Sequence, residues 1–302
     1  MRVLYVNPGA ELGGSERSLL DLLASFQHSL LAVEKKLVLF ADGELARLVR
    51  GLGIEVEILG LPSELETLGE SSGGSNWAGR IPGALRAALA SLPTLRAIRR
   101  SAKEFRAELV HTNGTKAHVL AALALPELPR VVHLRDFVSA RPVTRRLVSL
   151  LGRRALIVTN SKAVEDDALG VARSLRTRVV YNGIDLDEFR PRPRDLEHLA
   201  ALSGLDVPPP STVVVGLVAT YAHWKGHRTF LDAARELRLG APEIPLRFYV
   251  IGGPVYRTRG SEIGEGELRE AVERAGLVRD VGFVPFQNDV ARAYRGLDVM
   301  VH

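Results

Sequence analysis

A chain of 302 residues has room for two domains of ordinary size. Its 46% hydrophobic and 25% charged residues suit a soluble globular protein, and no apolar run is long enough to predict a membrane-spanning helix. The absence of cysteine excludes disulfides, thiolate catalysis and cysteine-ligated zinc, and a net charge of +5 either favours anionic partners or marks an Arg-rich solvated surface.

The N-terminal MRVLYVNPGAELGG has too short an apolar run for a secretory signal, and with the missing cysteines it leads to an expected cytoplasmic location. From there, short β-branched runs alternate with helical patterns. Strands are predicted at Arg2–Asn7, Lys36–Ala41, Ile54–Leu59, Glu108–Thr112, Arg130–Leu134, Ala155–Thr159 and Arg178–Tyr181. Helices are predicted around Ser15–Ser25, Leu45–Leu52, Thr115–Leu123, Val143–Leu151 and Lys162–Val171. The Gly- and Ser-rich Ser71–Trp77 reads as a mobile loop with little to bury. Thr94–Arg106 is a basic amphipathic helix, with Leu95, Ile98, Ala102 and Phe105 on one face and Arg96, Arg99, Arg100, Lys103 and Arg106 on the other. Its apolar face either completes the core or lies on the inner face of an anionic membrane as a peripheral contact.

The alternation implies an α/β protein with a parallel, doubly wound sheet over residues 1–190. The Pro- and charge-rich stretch 191–210 reads as a linker with one helical turn inside it. The pattern then restarts. STVVVGLVAT, LRFYVIGG, DVGFVPF and LDVMVH are strands, and KGHRTFLDAARELR, GELREAVERAG and NDVARAYRG are helices, so 211–302 forms a second Rossmann-like domain. That domain is expected to be incomplete, because its last predicted strand reaches His302.

Several strand-end segments carry chemistry. Gly13 and Gly14, ahead of the first helix, either let backbone N–H groups approach an anion or only form a turn; Glu16 and Arg17 follow in the first helical turn. The spacing is not the GxGxxG of a dinucleotide site. His111 and Asn113 end one strand, and His133, Arg135 and Asp136 end the next, where open α/β sheets bind ligands. Histidine can serve there as acid or base, and Arg135 can hold an anion. Asn182, Gly183 and Asp185 form a turn at the end of the first domain, with Asp185 or Asp187 as a cap. Thr220 and Lys225 follow the first strand of the second domain; a lysine near a helix start suits a bound diphosphate. Gly252 and Gly253 end the next strand, where they either admit a ligand or turn the chain.

In order, ELGGSERSLLDLL, LVHTNGTKAH, VVHLRDF, VTNSKAVEDDAL, VVYNGIDLDEFRP, WKGHRTFLDAA, FYVIGGP and VGFVPFQNDVARAYRGLDVMVH resemble the family 4 glycosyltransferases of GT-B fold. The resemblance implies two Rossmann-like domains and retaining transfer of a sugar from a UDP- or GDP-linked donor to a glycan, lipid or small-molecule acceptor, with no metal or other cofactor. It places the acceptor mainly on the first domain and the donor mainly on the second. Gly13, Gly14, Asn182, Gly183, Asp185, Lys225 and the strand around Phe283 match donor-side segments, Lys225 being the diphosphate lysine. Thr220, Gly252 and Gly253 join that set, Glu16, Arg17, Arg135 and Asp136 are acceptor-side, and His111, Asn113 and His133 are the catalytic candidates.

The chain also departs from the family. Ala219 and Thr220 occupy the positions of a Gly-Arg pair, which leaves Arg228 as the substitute cation. Asn113 stands where many members have a second histidine. The family's E-x7-E glutamates would follow the strand at His302. Two other readings stay open: a nucleotide-sugar epimerase, and a non-catalytic sugar-nucleotide or glycan-binding relative. Dispersed basic residues and the lack of a recognition helix argue against nucleic acid.

Overall fold

A computed structural model describes residues 1–62, 80–139, 145, 154–254 and 263–302. The loop at Ser71–Trp77 and, apart from Arg145, the helix expected at Val143–Leu151 lie outside these residues. The chain forms two compact units, Met1–Gly183 and Ile184–His302.

In the first unit, β1 (Arg2–Asn7), β2 (Glu34–Leu39), β3 (Glu55–Ile58), β4 (Leu109–Asn113), β5 (Arg130–Leu134), β6 (Ala155–Thr159) and β7 (Arg176–Val179) make one sheet. Its order is β3-β2-β1-β4-β5-β6-β7 and every pairing is parallel. Side chains alternate across a strand, so β1 serves two cores. Leu4 and Val6 join Val38, Val110 and Ile98 on one face; Val3 and Tyr5 join Leu37, Leu39, Leu19, Leu23 and Val49 on the other. Both faces are buried, which is why RVLYV is apolar without a break. Helices α1 (Gly14–Ser25) and α2 (Glu44–Gly51) cover one face. Helices α3 (Arg80–Phe105) and α4 (Thr115–Ala124) cover the other, and α5 (Lys162–Val171) packs Val164 and Ala168 against Val132, Leu134 and Ile157. Burial of each such Leu or Ile contributes roughly 1.5–3 kcal/mol.

Two strands start earlier than their apolar runs. β2 begins at Glu34 in register with Arg2, and its Lys36 is buried because Nζ reaches Glu55 at 2.7 Å and Glu57 at 2.9 Å on β3. β7 is a charged edge, Arg176–Val179, as suits a strand with one unpaired side. Helix α3 runs back from the expected Thr94 to Arg80, through Pro93. Ile98 and Ala102 are buried in the core, with Leu95 and Phe105 packed against it. Arg96, Arg99, Arg100 and Lys103 face outward, Arg99 lying 3.7 Å from Glu127 and Arg100 3.8 Å from Glu57. The apolar face is therefore used by the core. Among the described residues no helix is long and apolar enough to cross a membrane.

The second unit holds α6 (Leu196–Ser203), β8 (Val213–Val218), α7 (His227–Gly240), β9 (Leu246–Ile251), α8 (Glu265–Arg274), β10 (Val281–Val284), α9 (Val290–Arg295) and β11 (Val299–Val301). Its parallel sheet has the order β10-β9-β8-β11. Val215, Leu217, Phe248 and Val250 face α7 and α8; Val214, Tyr249 and Ile251 face Leu199 of α6 and Ala293 of α9. The stretch read as a linker thus contains a helix of this unit. Asp195 caps α6 by accepting from His198 N at 3.1 Å, and it pairs with Arg292 at 2.7 Å. Pro-rich flanks hid the helix, but LEHLAALS buries Leu199 completely.

Candidate functional site

The order of the first sheet reverses between β1 and β4, and the loops after these strands part there to leave a crevice. A pocket of about 140 Å³ occupies this place, lined by Asn7 and Pro8 at the end of β1, Ser15 and Glu16 of α1, Gly114, Thr115 and His118 of the β4–α4 region, and residues 133–138 at and after the end of β5. Gly114 makes the close approach possible. Its φ is +76°, and a Cβ there would stand 2.9 Å from Pro8 Cγ. Helices α1 and α4 have Gly13 and Gly114 as their N-cap residues, which supply no capping side chain. Their first N–H groups lack intrahelical partners and carry partial positive charge.

Three histidines cluster at this end of the sheet. His111 and His133 stack with centroids 5.7 Å apart, and His118 Nδ1 is 2.8 Å from Thr112 Oγ1. Burial, with the Arg135 charge second, brings the His111 pKa down to about 4. Burial, with the Arg135 charge second and the two other histidines after it, brings His133 to about 3, and burial with nearby His111 brings His118 to about 3. All three rings are neutral at neutral pH. That suits hydrogen bonding and argues against the acid–base duty expected of His111 and His133, which is most effective near the working pH. Among the described residues no three His, Asp or Glu side chains converge as metal ligands.

Arg135 donates from Nη1 to Asn182 Oδ1 at 3.1 Å, and Nη2 lies 3.4 Å from His133 Nδ1. Ser18 Oγ donates to the same Asn182 oxygen at 3.1 Å, so the Asn-Gly turn ties α1 to the β5 loop. Glu16 is 7% exposed; Oε1 lies 3.5 Å from Asn7 Nδ2 and Oε2 has no partner. Asn7 Oδ1 and both amide atoms of Asn113 are likewise buried without partners. Asn7 and His118 escaped the sequence reading. Asn7 ends an apolar strand beside the switch point, and that position was the available signal.

The structure thus brings Glu16, His133, Arg135 and Asp136 to one pocket. Arg17 is directed along α1, 3.3 Å from Asp21, and does not line it. His111 and Asn113 do not line it either. In the second unit, Asp185 caps a turn, accepting from Asp187 N at 2.8 Å and Glu188 N at 3.2 Å.

Lys225 ends the short turn His223–Lys225 after β8. Gly226, at φ +75°, then caps α7 with no side-chain bond. Lys225 makes no ion pair among the described residues, so a cation and a helix N-terminus stand together. Thr220 is half-buried in the preceding loop. Arg228, the expected substitute cation, is bonded to Glu267 at an exposed position. Gly252 serves packing: at φ +152°, a Cβ would fall 1.9 Å from the Ala219 carbonyl oxygen. Gly253 accepts from Tyr221 N at 3.0 Å. The Phe283 side chain is buried in the core beneath the Arg269 guanidinium, 4.5 Å from its ring centroid. Only the backbone of that strand remains for a ligand.

The model of Glycosyltransferase Family 4 matches residues 43–188. The D-inositol 3-phosphate glycosyltransferase of Rhodococcus erythropolis is 32% identical over 200 residues, covering 64% of this chain and 41% of the relative. The lipopolysaccharide core biosynthesis mannosyltransferase LpsB of Rhizobium meliloti is 32% identical over 124 residues, 41% of this chain and 32% of that protein. The chain thus spans less than half the length of these relatives. Among solved structures, Anabaena Alr3699/HepE in complex with UDP and glucose superposes with a TM-score of 0.76 at 24% identity, over 100% of this chain and 74% of that one. The apo lipopolysaccharide outer core galactosyltransferase WaaB gives a TM-score of 0.59 at 12% identity, over 99% of this chain and 73% of that one.

Proposed function

We propose that the chain, which is similar to the family 4 glycosyltransferases and has the GT-B fold, transfers a sugar from a UDP-linked donor to a hydroxyl group of an acceptor, with retention at the anomeric carbon. The observation that carries the donor side is Lys225 beside the uncapped N-terminus of α7, at the carboxyl end of β8. In the transfer, the bond from the anomeric carbon to the diphosphate oxygen breaks and a bond to the acceptor oxygen forms. The acceptor proton leaves with the diphosphate. Negative charge grows on the leaving diphosphate, and a preorganised cation with unpaired N–H groups stabilises that charge more than the ground state. Lys225 and the first turn of α7 fill this role without the guanidinium that Thr220 replaces.

UDP is preferred as the carrier because HepE, of the same fold, was solved with UDP and glucose. The relative named for D-inositol 3-phosphate supports a small hydroxylated acceptor, and LpsB supports a glycan. The acceptor side is the pocket of the first unit, with Arg135 and Glu16.

Calorimetric titration of the chain with UDP, GDP and ADP tests the donor site. UDP binding is expected, and Lys225→Ala is expected to weaken it by about 1.5–3 kcal/mol, the value of a charged hydrogen bond. Equal affinity in the variant, or binding of none of the three, would refute the assignment.

A further inference from the structure

Arginine and proline alternate through residues 190–194, RPRPR, in the stretch ahead of α6. Proline fixes its own φ and keeps the residue before it extended, so Pro191 and Pro193 stiffen the backbone at Arg190 and Arg192. The stretch is also tied at both ends to one residue of α9. Arg295 Nη2 donates to the Glu188 carbonyl oxygen at 3.2 Å, and Asp195 N donates to the Arg295 carbonyl oxygen at 3.2 Å. Between this strap and α9 lies a cavity of about 430 Å³, a size that suits a small molecule. Arg190, Arg192, Arg194 and Arg295 line it, together with Phe189 and Tyr294, whose ring centroids are 6.3 Å apart.

The four arginines are not equivalent. Arg194 serves the fold: it donates to the Pro210 and Thr212 carbonyl oxygens at 3.0 and 2.6 Å and pairs with Asp298. Arg190, Arg192 and Arg295 make no ion pair among the described residues, and Glu188 is the one carboxylate lining the cavity. The surplus is cationic, and guanidinium forks match the oxygens of a phosphoryl group bidentately. Because the strap is stiff and pinned, little ordering remains to oppose binding. Phe189 and Tyr294 add an apolar wall for the body that carries the phosphoryl group.

This cavity lies away from the donor diphosphate. Arg194 and Asp298 join at the amino ends of β8 and β11, where Asp298 accepts from Val214 N at 2.7 Å. Lys225 follows the carboxyl end of β8, and the six residues of that strand separate the two places by roughly 20 Å. We propose that the cavity between the RPRPR strap and α9 binds the phosphoryl dianion of a phosphate ester with an apolar or aromatic body, held by Arg190, Arg192 and Arg295, as a second anion site separate from Lys225.

Calorimetric titration of the full chain with phenyl phosphate at low salt tests this. Saturable binding is expected, equal in wild type and Lys225→Ala. Arg192→Gln or Arg190→Gln, at exposed positions, should each weaken it about tenfold, the equivalent of one charged hydrogen bond. Arg279→Gln removes an exposed arginine that does not line the cavity and should change nothing. The phosphoryl group can belong to a soluble ester or to a lipid headgroup, so cosedimentation with phosphatidic acid vesicles is the second arm. Binding of phenyl phosphate without vesicle binding assigns a soluble ester; binding of both, each weakened by Arg192→Gln, assigns a headgroup. Failure of phenyl phosphate to bind overturns the proposal. So does equal affinity in both cavity variants, an equal loss in Arg279→Gln, or a loss in Lys225→Ala alone.

Discussion

Burial of His111, His118 and His133 is expected to make the first unit acid-sensitive. In the folded chain their pKa values lie at about 4 for His111, about 3 for His118 and about 3 for His133, against an ordinary value of 6.5. The folded pKa is below the unfolded one, so the unfolded chain binds more protons in the window between. The stabilisation is complete above pH 6.5 and is lost as pH falls through 6.5 toward 4. At about pH 5 each ring is almost fully protonated when unfolded and almost neutral when folded, a loss of about 2 kcal/mol per ring relative to about pH 7.5. Three rings together remove about 6 kcal/mol, against a total stability of about 5–15 kcal/mol for a domain. Urea denaturation between about pH 7.5 and pH 5, read by hydrogen exchange of the β4 and β5 amides, measures this. Exchange confines the reading to the first unit, because burial also lowers the pKa of His198 and His227 in the second. His118→Gln should remove about a third of the loss. An unchanged β4 and β5 stability across this range would refute the reasoning.

Two packing predictions follow from single contacts. Gly252→Ala sets a Cβ 1.9 Å from the Ala219 carbonyl oxygen at φ +152°, and should cost the second unit at least about 3 kcal/mol. Gly276→Ala, at φ +71° with open space around it, is the control at about 1–2 kcal/mol, and thermal unfolding ranks the two. Lys36→Met leaves Glu57 and Glu55 without their shared cation, which should cost roughly 1–3 kcal/mol in urea denaturation, Glu55 being too exposed to contribute fully.

Much of the architecture is legible in local pattern. The unbroken RVLYV and VVVGLV runs mark strands buried on both faces, and β1 and β8 are such strands. The ordered glycine, histidine and Asn-Gly segments carried the resemblance to the family 4 glycosyltransferases. Where local pattern failed, a polar or helix-breaking residue had been compensated from outside its own segment. Lys36 enters a buried strand because two glutamates of the next strand receive it. Pro93 sits inside α3, whose place is held by Ile98 and Ala102 in the core. Leu199 anchors α6 within a stretch that reads as linker.

The candidate site divides the same way. Its strand-end residues His133, Arg135 and Asp136 were visible because open α/β sheets place ligands at strand carboxyl ends. Asn7 and Glu16, Gly114 and His118, and His133 come from three stretches of chain, and only the pairing of β1 with β4 and of β4 with β5 puts them around one pocket. The chain by itself determines periodicity, caps and turns, because these depend on neighbours a few residues away. The neutral state of the three histidines, the pairing of Arg228 with Glu267 and the packing duty of Gly252 depend on which distant groups meet, since desolvation, ion pairing and steric exclusion act through space.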